Sequence, residues 1–203
     1  MVKKSTYNAA GTHAAVALCV DEDMKFGKML KFKAKAKTQV FLGGEMVKAA
    51  WADSLSGEKF QRNFALIIKE LRHVTTKNIF AGSEYSVPII VASTFALTLF
   101  DIFPYVFAPY CFSQRDPTFF KLGMVSMAAA VINTVGTGYL ATFHKLPAYS
   151  GLFVPLEALE MIYLMWNSTL TTLWNNGVTW RDTHYPLKKL RDFNNNVNKS
   201  VNK

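Results

Sequence analysis

The chain has 203 residues, length enough for one ordinary soluble domain, with 50% hydrophobic residues and a formal charge of +9. Two cysteines, Cys19 and Cys111, exclude a disulfide framework and a cysteine metal site and are expected as reduced thiols. No motif interleaves the many lysines with aromatics, so no nucleic-acid partner is expected, and a mean hydropathy of +0.11 averages a lysine-rich first third with an almost uncharged middle.

The N-terminus has a basic start and a short apolar run, but Gly11 and His13 interrupt it. No small-residue cleavage site precedes Asp21, so the signal-peptide pattern is weak. Ala14 to Val20 is expected as a buried strand or a short helix. Asp21-Glu22-Asp23 then opens a helix in which Phe26, Met29 and Leu30 recur at helical spacing, with Lys25, Lys28 and Lys31 on other faces. Acids at a helix start accept from its unpaired N–H groups and meet the positive end of its dipole. Thr38 to Leu42 reads as a strand ended by Gly43-Gly44. Glu45 to Leu71 reads as amphipathic helix broken near Ser56-Gly57. Its stripe of Trp51, Phe60, Phe64, Ile67, Ile68 and Leu71 lies either on a membrane surface or on a protein core.

From there the charges all but vanish. Between Glu84 and Arg115 the only one is Asp101; between Lys121 and Lys145 there is none; between Lys145 and Arg181 there are Glu157 and Glu160. About 20 apolar residues span the bilayer core as a helix, which satisfies every backbone group internally. The first such segment is Val87 to Phe112, with Pro104 and Pro109 expected to kink or end it, so that the effective span stops near Phe103. An intramembrane carboxylate is by default a functional candidate, yet Asp101 falls late in that span and is expected near the headgroups, capping the Pro104 break. The second segment is Leu122 to Phe143, whose Ala128-Ala129-Ala130 and Gly136-Thr137-Gly138 permit close helix packing. The third, Tyr149 to Leu173, contains Pro155, Glu157 and Glu160 and either spans, re-enters or lies in the interface.

Basic residues flank these segments on both sides, in the N-terminal part and in a tail with Arg181, Lys188, Lys189, Arg191, Lys199 and Lys203. Basic ends favour the cytoplasmic face and its anionic lipids. Two cytoplasmic ends require an even number of spans, whereas three spans would place one basic end outside, so charge leaves both two spans with an interfacial third segment and three spans open. The Asn- and Lys-rich stretch Asn194 to Lys203 is expected to be disordered.

Motifs on either side of the membrane segments carry more. Ala10-Gly11-Thr12-His13, then Val20-Asp21-Glu22-Asp23-Met24-Lys25-Phe26-Gly27-Lys28, then Leu42-Gly43-Gly44-Glu45-Met46-Val47 and Trp51, resemble the end of the catalytic domain of family 2 glycosyltransferases. The resemblance continues through Lys77-Asn78-Ile79-Phe80-Ala81-Gly82 and Tyr85. It returns at Gly177-Val178-Thr179-Trp180-Arg181-Asp182-Thr183-His184-Tyr185-Pro186-Leu187, similar to a segment of the membrane-bound hopanoid- and ceramide-type members. It implies a mainly α integral membrane protein, in which an N-terminal remnant of an α/β glycosyltransferase domain precedes two or three transmembrane helices. The regions would be 1–50, a catalytic remnant; 51–85, interfacial helices; 86–174, transmembrane; and 175–203, a basic cytoplasmic tail.

The same resemblance implies roles. An inverting transfer needs a carboxylate to take the acceptor hydroxyl's proton; Asp23 would be that catalytic base, with Glu22 and His13 in the acceptor pocket. Trp180, Arg181 and Tyr185 would hold the donor diphosphate or anchor the interface, guanidinium suiting phosphate and Trp and Tyr suiting a membrane boundary. The family's nucleotide-binding half, with its Asp-x-Asp metal motif, has no counterpart here, since about 20 residues before Asp21 are too few for βαβ units of roughly 30. Asp182 and Thr12 also stand where the family has glycine. The chain would therefore carry no metal site or cofactor of its own, a divalent metal belonging to the absent half. It would be inactive alone and would need a partner chain supplying that half beside its membrane lipids. The competing reading is a catalytically silent accessory subunit of a membrane complex. A small channel or transporter built on Asp101, Glu157 and Glu160 ranks last.

Overall fold

A computed structural model describes residues 2–20, 22–39, 78–144, 146–180 and 183–201. Most of the Thr38 to Leu42 strand reading and all of Glu45 to Leu71 lie outside these residues; Thr38 and Gln39, which are described, carry no strand. The described residues are mainly α-helical and divide into two units, Met1–Ser86 with Asn167–Lys203, and Val87–Trp166.

In the first unit, helix α1 (Lys4–Ala10) stops at Gly11, whose left-handed backbone (φ 100°) turns its N–H back onto Asn8 O. A 3-10 turn follows at His13–Val16, with the Thr12 hydroxyl accepting from Ala14 N–H; Ala14 to Val20 thus contains no strand. Helix α2 (Glu22–Lys28) has Glu22 and Asp23 in its first turn and widens into a π turn at Met29–Lys33. Its buried apolar residues Phe26, Met29 and Leu30 are those the spacing predicts, and they pack with Ala10, Val16, Cys19 and Val197 into one apolar core, but Lys25, expected on another face, is buried as well. A helical turn at 78–82 buries Phe80 and Ala81.

The C-terminal part of this unit contains the only described strands. Strands β1 (Gly177–Trp180) and β2 (Thr183–Pro186) pair antiparallel with Val178 opposite Tyr185. Gly177 has φ 157°, and a Cβ there would run into the Tyr185 carbonyl and the His184 ring, so only glycine lets the strands close. Where an α/β remnant is expected, the described residues of 2–39 form helices and turns up to Lys33 and no strand. Helix α7 (Leu187–Val201) corrects the expectation of a disordered tail. Leu187, Leu190, Asn194 and Val197 fall on one face and are buried, and Asn194 repays its burial by accepting from Cys19 Sγ at 3.4 Å.

The second unit holds the apolar helices. Helix α3 (Val87–Leu97), a π turn (Thr98–Ile102) and helix α4 (Phe103–Ser113) form one continuous stretch, followed by α5 (Pro117–Phe143). Asp116 caps α5 by accepting from Thr118 N–H at 2.6 Å, a bond that lowers the carboxyl pKa, and Pro117 takes the first position, where no N–H is missed. A 3-10 segment (Ala148–Phe153) then leads into α6 (Val154–Trp174), whose last residues belong to the first unit.

Three stretches, Val87–Ser113, Pro117–Phe143 and Ala148–Trp174, are each 27 residues and apolar enough to cross a membrane. At 1.5 Å per residue each reaches about 40 Å, beyond a core of about 30 Å. Large side chains such as Phe95, Val125 and Ile132 are 68–72% exposed, which suits lipid rather than water. The prolines do not stop the first span. The wider π turn ends just before Pro104, which sits in the first turn of α4, and the helix runs on through Pro109 to Ser113.

Candidate functional site

Asp23 lies in the first turn of α2, exposed, with one carboxylate oxygen accepting from Met24 N–H at 2.8 Å. Glu22, the first residue of α2, is also exposed. His13 stacks on Phe26 with ring centroids 4.5 Å apart, and its Nδ1 is 2.9 Å from the Tyr7 hydroxyl. Phe26 follows Asp23 by three residues, so the stack brings His13 to the flank of α2 that carries Asp23. Glu22 and Asp23 thus share the first turn of a short helix, and His13 stacks farther along it on Phe26. All three are exposed, and both Asp23 and His13 are engaged in local structure.

On the hairpin, Tyr185 is half-buried and faces Ala17, Leu18, Val20, Val178 and Leu190 across a gap of about 10 Å³, room for no ligand. Trp180 is placed by its backbone alone, opposite Thr183, and Arg181 lies outside the described residues. Beside the hairpin a shallow open groove of about 470 Å³ runs between Leu18, Pro186, Lys188, Lys189 and Phe193. Among the described residues no group of three or more His, Cys, Asp or Glu is arranged to hold a metal ion.

Two polar clusters escaped the sequence reading. Lys25 is 2% exposed inside the first unit; its Nζ donates to Glu84 Oε1 at 2.9 Å and to Asn198 Oδ1 at 3.3 Å. The Lys25 ammonium, helped by an Asn198 bond and against a smaller desolvation effect, holds the Glu84 carboxyl below its ordinary pKa. Nearby, Arg191 donates to Tyr85 O at 2.9 Å. Nothing in a lysine-rich helix signals which ammonium is buried, since that depends on what arrives from residues 84 and 198.

The second cluster lies among the apolar helices. Asp101 sits in the π turn near the middle of Val87–Ser113, not at its end, and does not cap α4, whose start has no side-chain cap. Its Oδ1 accepts from Asn133 Nδ2 at 2.7 Å, and the same amide reaches Phe100 O at 3.2 Å. On either side of it, Tyr105 OH bonds Thr134 Oγ1 and Ala130 O, and Ser126 Oγ donates to Pro104 O. This ladder and the tight seat of Gly123 against Cys111 and Phe112 join α4 to α5, an arrangement of small and polar residues that suits packing in lipid.

The described residues thus define a mainly α-helical chain with three helices long and apolar enough to cross a membrane. Comparison with family models, with curated proteins and with solved structures returned no match.

Proposed function

We propose that the chain is the membrane-anchored, acceptor-side part of a glycosyltransferase acting on a lipid-type acceptor. The nucleotide sugar would be bound by residues outside these 203. One observation supports the reading: the described stretches that resemble that family, in the N-terminal part, before the first apolar helix and at the hairpin, fall in one unit. Lys25 of the acidic motif bonds Glu84 and Asn198 across 59 and 173 residues of sequence, and Arg191, just past the hairpin motif, bonds Tyr85 across 106. Such convergence is expected of motifs that serve one site.

In this reading Asp23 takes the acceptor hydroxyl's proton as the oxygen attacks the sugar's anomeric carbon and the nucleotide diphosphate leaves. His13 orients that hydroxyl. The tail and the N-terminal unit lie on the cytoplasmic face. A positioned general base contributes about 10²–10⁴-fold. The test is transfer of labelled sugar from a nucleotide donor to membrane lipid. Purified chain alone is expected to be silent, and chain combined with its donor-binding partner active. Asp23→Asn in the active combination is expected to lose at least about 10²-fold. Unchanged transfer would sink the reading.

A second reading, the silent accessory subunit, is favoured by the state of the same residues. Asp23 serves its own helix start and His13 completes an aromatic stack, as structural residues do. It predicts that Asp23→Asn changes neither activity nor assembly.

A further inference from the structure

The apolar segment Ala148–Trp174 has the length and composition to cross a membrane. Its contacts place its ends otherwise. The α4–α5 pairing sets a depth scale, because Asp101 lies beside Asn133 and Tyr105 beside Ala130 and Thr134. The segment begins by packing on α5 near that level. Gly138 is held so close to Ala148 that a Cβ would come within 2.5 Å of its carbonyl, and a Cβ on Gly151 would overlap the Thr134 carbonyl. Only glycine permits either approach.

Were the segment to continue across, Trp166, fifteen residues past Gly151, would lie about 22 Å farther toward the face where Ser113 ends α4. It lies on the opposite side of that level. Trp166 Nε1 donates to Thr94 Oγ1 at 3.0 Å, and Thr94 is seven residues before Asp101, about 10 Å nearer the face where α3 begins. The two positions differ by about 30 Å, several times the reach of a tryptophan side chain.

A second observation is independent of that scale. Ser168, within the segment, accepts from the backbone N–H of Phe80 at 3.1 Å, and Phe80 precedes the first span by seven residues. Arg191, beyond the segment, bonds the carbonyl of Tyr85, two residues before that span. Polar partners cannot join across about 30 Å of hydrocarbon.

We infer that Ala148–Trp174 does not cross the membrane. It is a dipping helix that goes down beside α5 to about the level of Thr134 and returns to the face from which it started. The chain crosses the bilayer twice, through Val87–Ser113 and Pro117–Phe143, and Ser86 and Asn175 lie on one side. The dipping helix presents Leu152, Leu156, Leu159 and Leu170, all more than half exposed, to the acyl chains of a single leaflet. The lysines of both chain ends lie on one side, as cytoplasmic basic flanks require.

The test uses the full chain in sealed membrane vesicles of one orientation, with Ser86→Cys, Gln114→Cys and Asn175→Cys as single additions. The native Cys19 and Cys111 are buried, and their slow background is measured in parallel. With a membrane-impermeant maleimide, Ser86→Cys and Asn175→Cys are expected to label together, and Gln114→Cys only after the vesicles are opened or inverted. Epitope tags at the two chain ends, probed in the same vesicles, should be accessible together. Labelling of Asn175→Cys on the side of Gln114→Cys, or tags on opposite faces, overturns the inference.

Discussion

Replacing Glu84 by glutamine should destabilise the first unit more than replacing Lys25 by methionine, although both remove the same ion pair. Lys25 is 2% exposed and Glu84 38% exposed at the side chain. Glu84→Gln keeps a bond for the ammonium but leaves a buried cation without its anion. Breaking a fully buried pair this way costs about 3–5 kcal/mol. Glu84 is partly in water and the amide still accepts, so about 1–2 kcal/mol is expected here. Lys25→Met removes the buried charge itself, fills the path of the aliphatic stem, and lets Glu84 turn to solvent with Asn198. Its cost should stay within about 1 kcal/mol. Cys19, buried in the core of the same unit, reports the difference, because its thiol reacts only when the unit opens. In detergent micelles Glu84→Gln should speed Cys19 modification about 5- to 30-fold and Lys25→Met less than about 5-fold. The sign with pH follows from the lowered Glu84 pKa. The pair's contribution is full above the unfolded carboxyl value of about 4.3 and is lost as pH falls through the lower folded value. Lys25→Met should therefore flatten the acid limb of the opening rate. Faster opening in Lys25→Met than in Glu84→Gln, or wild-type opening in both, would refute the reasoning.

Gly151→Leu should unseat the dipping helix from α5, since its side chain meets the Thr134 and Gly138 backbones; overpacking of about 1–3 kcal/mol or more should appear as lost monodispersity on size-exclusion chromatography in detergent. A double-mutant cycle on Asp101→Leu and Asn133→Leu should return a coupling of about 0.6–1.7 kcal/mol in thermal unfolding, and zero coupling would deny the pair any role in holding α4 to α5. Arg191→Met leaves the Tyr85 carbonyl without that donor and should speed Cys19 modification by an amount equivalent to about 1–3 kcal/mol, whereas Lys188→Met, on the exposed face, should stay within about 0.5 kcal/mol. Asp23→Asn should leave Cys19 reactivity unchanged, because the exposed amide can still accept from Met24 N–H.

The apolar helices were legible because hydropathy depends on composition alone, and the buried stripe of α2 because helical spacing is local. Where the sequence misled, a distant residue had intervened. Asn194 to Lys203 reads as a polar tail until Cys19 supplies a donor for Asn194 and the core of α1 and α2 receives Val197. Pro104 reads as the end of a span until the π turn before it lets the proline begin a new helix within the same stretch. Asp101 reads as a cap because its partner, Asn133, is 32 residues away on the next helix. Of the candidate site, the sequence supplied the residues but not their company. The stack of His13 on Phe26 and the face that Tyr185 turns to Leu18 and Leu190 depend on how the segments meet.

The third segment shows most clearly what hydropathy measures and what it does not. A window of apolar residues reports that a helix is compatible with lipid, not how far into lipid it goes. Depth is set by what the helix packs against, and here two glycines, Gly138 and Gly151, hold its start beside the middle of α5. From that level a helix of 21 residues has length to reach either face. Trp166 and Ser168 decide between them by bonding Thr94 and Phe80, on the side where the first span begins. Basic residues at both chain ends suit an even number of crossings without settling it. Charge and hydrogen bonding thus agree against a count made on hydropathy alone.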